Sequence, residues 1–384
     1  MATVLIWMSP EAGHTIPSIK VAGDLLQQGH RVVYLTCGKI RQELAALGFE
    51  TKAFFPAEWP ELAARSIFGP CRPARHMYRA LERRFRDSQG LAIGIRSAIQ
   101  DAVVAVGADL VLADGVFDTW LQVHRSLENR CKAARLYVHL PYKPLPSEDV
   151  SVAGSPRIYL SPKQFELPER LCDDVYYTEP ALYLGRYSTT DRFDWDALGS
   201  DLPIVYCSLG SQMALYSGVP QFFGDILTAA ASLPELQFIV NAGALAGGLV
   251  PPPGAGNVKV VSFLPHPEVL PRAAVAVIHG GFGVIKECIY FGVPMLIVPQ
   301  QWDQPLNAVR VAYHGVGSWM HASQTSAQAI TESVRTLAAD ASVRSRIREL
   351  QLVFLASHGD QVTARVCSTL LQESCGTARE QIVR

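Results

Sequence analysis

Along the first fifty residues the apolar positions change period twice. Residues 4–7 (VLIW) form a short continuous apolar run, residues 16–28 carry apolar side chains at helical spacing, and residues 31–36 (RVVYLT) return to a strand-like run. This is one strand–helix–strand unit. The alternation continues with a helix over 40–47, a strand near 51–55, a helix over 91–106 and strands at 110–113 and 136–140. Short strands alternating with helices predict a parallel, doubly wound sheet. Between residues 57 and 89 the period weakens. Pro60, Pro70 and Pro73 crowd its beginning and a basic helical stretch, HMYRALERRFRDS, follows, as in an insertion at a domain's rim.

A second series of strands follows at 204–208, 238–241, 258–262, 274–278 and 295–298, with helices between them, one over 282–291, and a helical end over 326–372. The second half thus repeats the architecture of the first. A chain of 384 residues exceeds what one core usually organises, so the expected division is 1–195 and 203–370. The linker falls near 189–202, and the C-terminal helix is free to pack back on the first domain.

Charge adds little to this picture. Lys and Arg number 34 against 35 Asp and Glu, which leaves no global field to attract nucleic acid or anionic membrane. No apolar stretch is long enough to span a bilayer, and the start MATVLIWMSPEAGH lacks a basic leader, so the expected location is the cytoplasm. The eight cysteines show no CxxC pair or ligand-like spacing, which argues against a disulfide framework or a structural zinc. Function therefore has to be sought in local sites.

The most informative stretch is HGGFGVIKECIYFGVPMLIVPQQWDQPLNA, residues 279–308. A buried strand delivers His279 into a turn containing Gly280, Gly281 and Gly283, and the helix that follows points its positive end at that turn, an arrangement suited to a phosphate. Taken alone, the turn reads equally well as plain structure. Glu287 lies about two helical turns further on, where a carboxylate can accept from ribose hydroxyls. Asp303 and Gln304 leave a second loop as paired polar groups of the kind that read sugar hydroxyls.

This stretch resembles the donor-binding signature of the family 1 glycosyltransferases, the group of plant natural-product and bacterial antibiotic glycosyltransferases. The matching positions are His279, Gly281, Glu287, Gly292, Pro294, Pro299, Asp303, Gln304, Asn307 and Ala308. The resemblance implies an α/β chain of GT-B architecture, with two Rossmann-like domains facing a central cleft. It implies that His279 and the following amides bind the diphosphate, that Glu287 binds ribose, and that Asp303 with Gln304 holds the transferred sugar. Upstream, SFLPH is similar to the element whose aromatic residue, here Phe263, stacks on the base, and VYCSLGS resembles the strand and turn that bring Ser208, Gly210 and Ser211 near the phosphates. One departure is Val284, which stands where many relatives have a Ser or Thr whose hydroxyl holds a phosphate oxygen.

In the first half, GHTIP (residues 13–17) follows the first strand, with Pro17 expected near the first helical position. His14 then faces the crevice where doubly wound sheets bind ligands, and it resembles the family's catalytic histidine. A histidine base needs a partner that fixes its tautomer. Asp114, at the end of the run LVLA, is the candidate; Asp118 is its rival, and Asp109 is expected at the opposite edge of the sheet. The mechanism implied is inverting displacement at the anomeric carbon from a UDP- or dTDP-sugar. No metal cofactor is expected, since no DxD motif occurs in the cleft segments.

For an acceptor, Phe55, Trp59, Phe68, Met77, Phe117, His139 and Tyr142 supply an apolar and aromatic rim suited to a small hydrophobic natural product. The basic run between Arg65 and Arg86, seven arginines against the single acid Glu82, suits either an anionic acceptor, a weak membrane-surface contact or a solvated helix face. Two rival readings share the architecture: a catalytically silent auxiliary protein and a nucleotide-sugar epimerase. A nicotinamide dehydrogenase and a serine hydrolase are disfavoured, since neither GxGxxG nor GxSxG stands in the needed context.

Overall fold

The structure is a computed structural model. It describes residues 1–54, 89–115, 127, 130–141, 155–185, 193–198 and 201–372.

The first sheet is built from β1 (Thr3–Trp7), β2 (Arg31–Thr36), β3 (Glu50–Ala53), β4 (Leu110–Asp114), β5 (Lys132–Tyr137), β6 (Arg157–Tyr159) and β7 (Tyr176–Tyr177). Their order across the sheet is β3-β2-β1-β4-β5-β6-β7, and every pair is parallel. Helices α1 (Ala12–Gln27), α2 (Gly38–Ala46) and α3 (Gln89–Val106) connect the strands. Helices cover a parallel sheet on both faces, so its central strands are apolar throughout; β4 is buried at every position, whereas the edge strand β3, sequence ETKA, is not.

The second sheet runs β10-β9-β8-β11-β12-β13, again wholly parallel. Its strands are β8 (Ile204–Ser208), β9 (Gln237–Asn241), β10 (Val258–Val261), β11 (Ala273–Ile278), β12 (Met295–Ile297) and β13 (Gly317–Trp319). Its helices are α4 (Val219–Ala231), the single turn α5 (His266–Val269), α6 (Phe282–Phe291), α7 (Gln304–Tyr313), α8 (Ala327–Ala339), α9 (Ala341–His358) and α10 (Val362–Gln372). Local chemistry sets several of their ends. Ser326 accepts from the Ala329 amide at the start of α8, Asp340 accepts from the Ser342 and Val343 amides at the start of α9, and Gly292, at φ 72°, ends α6.

In each sheet the strand order reverses beside its first strand. The crevice outside the carboxyl ends there, between β1 and β4 in one sheet and between β8 and β11 in the other, is where doubly wound folds bind ligands. His14 and Asp114 flank the first crevice, and Ser208 and His279 flank the second.

Two expected boundaries move. Helix α1 begins at Ala12, so Pro17 lies inside the helix and His14 in its first turn. Pro17 removes only the N–H that would have reached the carbonyl of Gly13, a residue with no side chain to add to the crowding. Strand β5 spans 132–137 rather than 136–140, because the polar residues Lys132 and Arg135 interrupt its apolar run; Arg135 is nonetheless buried, donating to the Ser155 carbonyl at 3.2 Å.

The two domains share one apolar cluster. Tyr137, Leu140, Tyr159 and Phe165 of the first domain pack with residues of β11, α6 and α9. Helix α10 crosses back the other way, and its Ala364, Val366, Cys367 and Leu370 join the core formed by β1, β2, β4 and α1. Phe165 is the deepest insertion. It is fully buried, stacked on Phe282 at 5.8 Å and on His314 at 5.3 Å, and edge-on to Phe354 at 6.3 Å. Phe165→Ala is therefore expected to cost about 3–5 kcal/mol, read as a lower urea midpoint; an unchanged midpoint would show that the domains are not held through this ring.

Candidate active site

The first half of the site is a hydrogen-bonded histidine and carboxylate. The sheet register sets Trp7 of β1 beside Ala113 of β4, so the residues that follow both strands meet above the crevice. There His14 Nδ1 lies 2.7 Å from Asp114 Oδ2, and the same oxygen accepts from the Ser9 amide at 3.0 Å. Asp114 is 1% exposed. A buried carboxylate between an amide donor and an imidazole fixes the tautomer: Nδ1 carries the proton and Nε2 carries the lone pair. Asp109 lies at the opposite edge, as expected, where it accepts from the Thr3 amide at 2.7 Å.

Burial works against a charge on His14. The neighbouring Asp114 more than offsets that, with Glu11 and Asp303 adding to it, and the ring is raised to about 9. Asp303 belongs to the second domain, so its field at His14 means that the two half-sites face the same gap. His139 lies edge-on to His14 with ring centroids 6.4 Å apart, and burial lowers its pKa despite the attraction of Asp303. Gln212, in the turn after β8, donates to Glu11 across the cleft at 2.8 Å. Glu11 was not anticipated; its only signal is that it is the one acidic residue in the loop three positions before His14.

The second half is organised around His279. Its ring fits between two glycines: a Cβ on Gly210 would come within 2.4 Å of the ring, and one on Gly281 within 2.5 Å. Gly210 also has φ +72°, and Gly280, at φ +86°, would drive a Cβ to 2.7 Å from Ile297. Three of the glycines are thus required by close approach or backbone conformation. Gly283 has open space where a Cβ would stand, directly over the first turn of α6. That turn leaves the amides of Phe282, Gly283 and Val284 without intrahelical partners, which makes an anion-binding end. Burial pushes His279 down to about 4, so the ring is neutral and can offer an N–H but no charge.

Several expected site residues are engaged by other groups of the chain. Val284 turns its side chain into the shared apolar cluster, leaving only its amide for a ligand. Ser208 is 4% exposed and its hydroxyl accepts from the Gly210 amide at 3.1 Å, so it shapes the turn, while Ser211 is exposed. Gln304 is 2% exposed; its oxygen accepts from the Gln300 and Gln301 amides and its nitrogen donates to the Tyr216 hydroxyl at 3.0 Å. It braces the loop and keeps one N–H in reserve. Asp303 is half-buried with one oxygen, Oδ2, accepting from Asn307 at 2.8 Å, and it follows Trp302, whose φ of +57° turns the chain sharply just before it.

Glu287 Oε2 lies 2.5 Å from Nδ1 of His266, at the start of α5, so the carboxylate expected at the ribose has a histidine partner. His266 was missed, although it stands in the same SFLPH element as Phe263. Phe263 is 36% exposed, as a stacking surface needs to be. Phe55, Trp59, Phe68, Met77, Phe117 and Tyr142 lie outside the described residues, as do Asp118 and the arginine-rich run over 65–86. Among the described residues no three His, Cys, Asp or Glu side chains come together in a metal-ligating cluster, and no helix is long and apolar enough to cross a membrane.

Comparison with known proteins agrees with this geometry. Residues 240–367 match the family described as erythromycin biosynthesis protein CIII-like, C-terminal domain. The NDP-glycosyltransferase YjiC of Bacillus subtilis (strain 168) is 22% identical, over 95% of this chain and 96% of its own length. Among solved structures, the glycotransferase of kitacinnamycin superposes with a TM-score of 0.76 at 21% identity, covering 96% of this chain and 99% of the other. The spinosyn rhamnosyltransferase SpnG complexed with thymidine diphosphate does so with a TM-score of 0.71 at 16% identity, covering 96% and 100%. The two parallel sheets and these superpositions give the chain the GT-B fold, and its residues 240–367 match an erythromycin CIII-like C-terminal domain.

Proposed function

We propose that the protein is an inverting glycosyltransferase that needs no metal and moves a sugar from a UDP- or dTDP-linked donor to a hydroxyl of a small hydrophobic acceptor, with His14 as general base. The observation that carries this reading is the convergence of Asp303 and the His14–Asp114 pair on one gap, together with the 2.7 Å bond that leaves Nε2 of His14 as the basic atom. That donors of this class suit the chain is supported by the thymidine diphosphate named for SpnG and the NDP donor named for YjiC.

In the reaction the acceptor oxygen gives its proton to His14 Nε2 and forms a bond to the anomeric carbon, while the bond from that carbon to the diphosphate oxygen breaks on the opposite face. Configuration inverts. The imidazolium formed is stabilised by Asp114, which does not itself take up the proton. Charge developing on the leaving diphosphate meets the free amides at the start of α6 and the N–H of neutral His279. His139, held neutral beside His14, is an acceptor-side hydrogen-bonding group that does not compete for the same proton.

Three results would test this. His14→Ala is expected to lower kcat by about 10²- to 10⁴-fold and to leave UDP or dTDP affinity unchanged, as followed by calorimetry; a near-normal rate on a hydroxyl acceptor would remove His14 as the base. The second concerns pH. His14 must lose its proton to act, and its pKa is raised to about 9, so kcat/KM for the acceptor should climb from pH 7, pass half its maximum near 9 and level off only above that. Asp114→Asn removes the nearest negative charge, so the acid limb should shift to lower pH while the plateau falls; an unshifted limb would mean that another group titrates. The third is a panel of UDP, dTDP, GDP and NAD measured with and without EDTA. Preference for UDP or dTDP that survives EDTA, with transfer also surviving, agrees with the proposal. Tight binding without turnover on any acceptor would instead favour a silent auxiliary protein.

A further inference from the structure

One group the mechanism leaves unused is a fully buried cation of the second domain. Arg310, on α7, has no exposed surface. Its Nε donates to Glu166 Oε1 at 2.8 Å and its Nη2 to Glu166 Oε2 at 2.9 Å, a two-pronged pair whose carboxylate comes from the first domain. Nη2 also donates to the carbonyl of Pro141 at 2.7 Å, likewise in the first domain. The remaining prong, Nη1, turns back within α7 and donates to Asn307 Oδ1 at 2.9 Å.

That last bond has a consequence for the site. An amide whose oxygen is held by a guanidinium must direct both N–H groups the other way. Those of Asn307 reach the Gly280 carbonyl at 3.0 Å and Asp303 Oδ2 at 2.8 Å. The Gly280 carbonyl belongs to the turn after His279, and Asp303 is the carboxylate facing the gap. One side-chain amide thus ties the diphosphate turn to the sugar-facing acid, and its orientation is dictated by an arginine whose other bonds are made to the opposite domain. Glu166 is itself oriented, since Oε1 also accepts from the Leu167 amide at 2.8 Å, and the ion pair has no water-exposed face.

We infer that the Arg310–Glu166 pair positions the donor sugar: with the two domains seated on each other it fixes Asn307, and through Asn307 it sets which oxygen of Asp303 is left for the sugar hydroxyls. This rests on the reading above in which Asp303 holds the transferred sugar. Arg310 is a positioning residue and touches no substrate.

The test separates the sugar from the nucleotide. Affinities for UDP and UDP-glucose, and for dTDP and dTDP-glucose, are measured by calorimetry on the full chain. Glu166→Gln removes the carboxylate charge while keeping its shape. Because a single change can strand a buried charge, the double variant Arg310→Met with Glu166→Leu is measured beside it, since buried ion pairs replaced together by apolar residues often leave a fold intact. Both are expected to lose about tenfold more affinity for the nucleotide sugar than for the bare nucleotide, the size expected when one hydrogen bond to a charged group is misaligned. Lys286→Met is the control. Lys286 is a second buried tether between the domains, donating to the Leu160 carbonyl at 2.9 Å, but no bond joins it to Asn307. It should leave the ratio of the two affinities unchanged.

Equal loss for nucleotide and nucleotide sugar, no loss for either, or an equal effect of Lys286→Met would each overturn the inference, since each describes a purely structural pair. The underlying reading has its own failure mark: Asp303→Ala in an otherwise wild-type chain that lowers neither nucleotide-sugar affinity would remove Asp303 from the sugar, and the inference with it.

Discussion

The cleft depends on how a short segment of the first domain, residues 163–167, is seated in the second. Phe165 supplies the apolar part of that seat and Glu166 the ionic part, one residue apart in sequence and both buried. The combination matters because the two parts do different work. Stacking of Phe165 on Phe282 and His314 is tolerant of small rotations, as dispersion contacts are. The fork of Arg310 onto Glu166 is not, because two parallel N–H···O bonds define an orientation as well as a distance. Apolar packing holds the domains together, and the ion pair selects the angle at which Asp303 looks towards His14.

The same cleft shows how one side-chain type acquires three electrostatic characters. His14, His139 and His279 all lie at carboxyl ends of parallel strands, and all are largely removed from water. Burial alone would make each of them a weak base. His14 is bonded to a carboxylate, and of the three it alone is raised, to about 9. His279 has backbone and glycines around it and falls to about 4. The contrast follows from the arrangement of acids: Asp114, Glu11 and Asp303 all act on His14, whereas His279 is governed by burial and a hydrogen bond with the Ser208 backbone. In the proposed reaction a doubly negative leaving group would find little repulsion beside His279.

Much of this is legible in the sequence, and the reasons for the exceptions are physical. Helix α6 can be read to both of its ends because a buried apolar run, a glycine turn and a terminating Gly292 are all local signals. The partnership of His14 with Asp114 follows from strand ends in a parallel sheet. The start of α1 escapes such a reading because AGHT has no apolar period and Pro17 imitates a first helical residue. Gln304 is expected to read sugar, yet a Gln beside an Asp looks the same on paper whether its amide turns outwards or, as here, inwards to Tyr216 and two loop amides. Arg310 and Glu166 stand 144 residues apart, and Glu11 and Gln212 stand 201 apart. No periodicity connects such pairs; they exist only once both sheets have folded and met.

That dependence also bears on the strength of His14 as the proposed base. A histidine at about 9 is a stronger proton acceptor than a free imidazole, but at neutral pH most of it is already protonated. The three acids responsible are not equivalent. Asp114 is buried and bonded to the ring, whereas Asp303 reaches His14 only across the gap. If Asp303 engages the hydroxyls of a sugar, its charge is spread into those hydrogen bonds and its pull on the imidazolium weakens. In the proposed reaction, domain seating, donor recognition and base strength are in this way properties of one set of carboxylates, reached from opposite sides of the cleft.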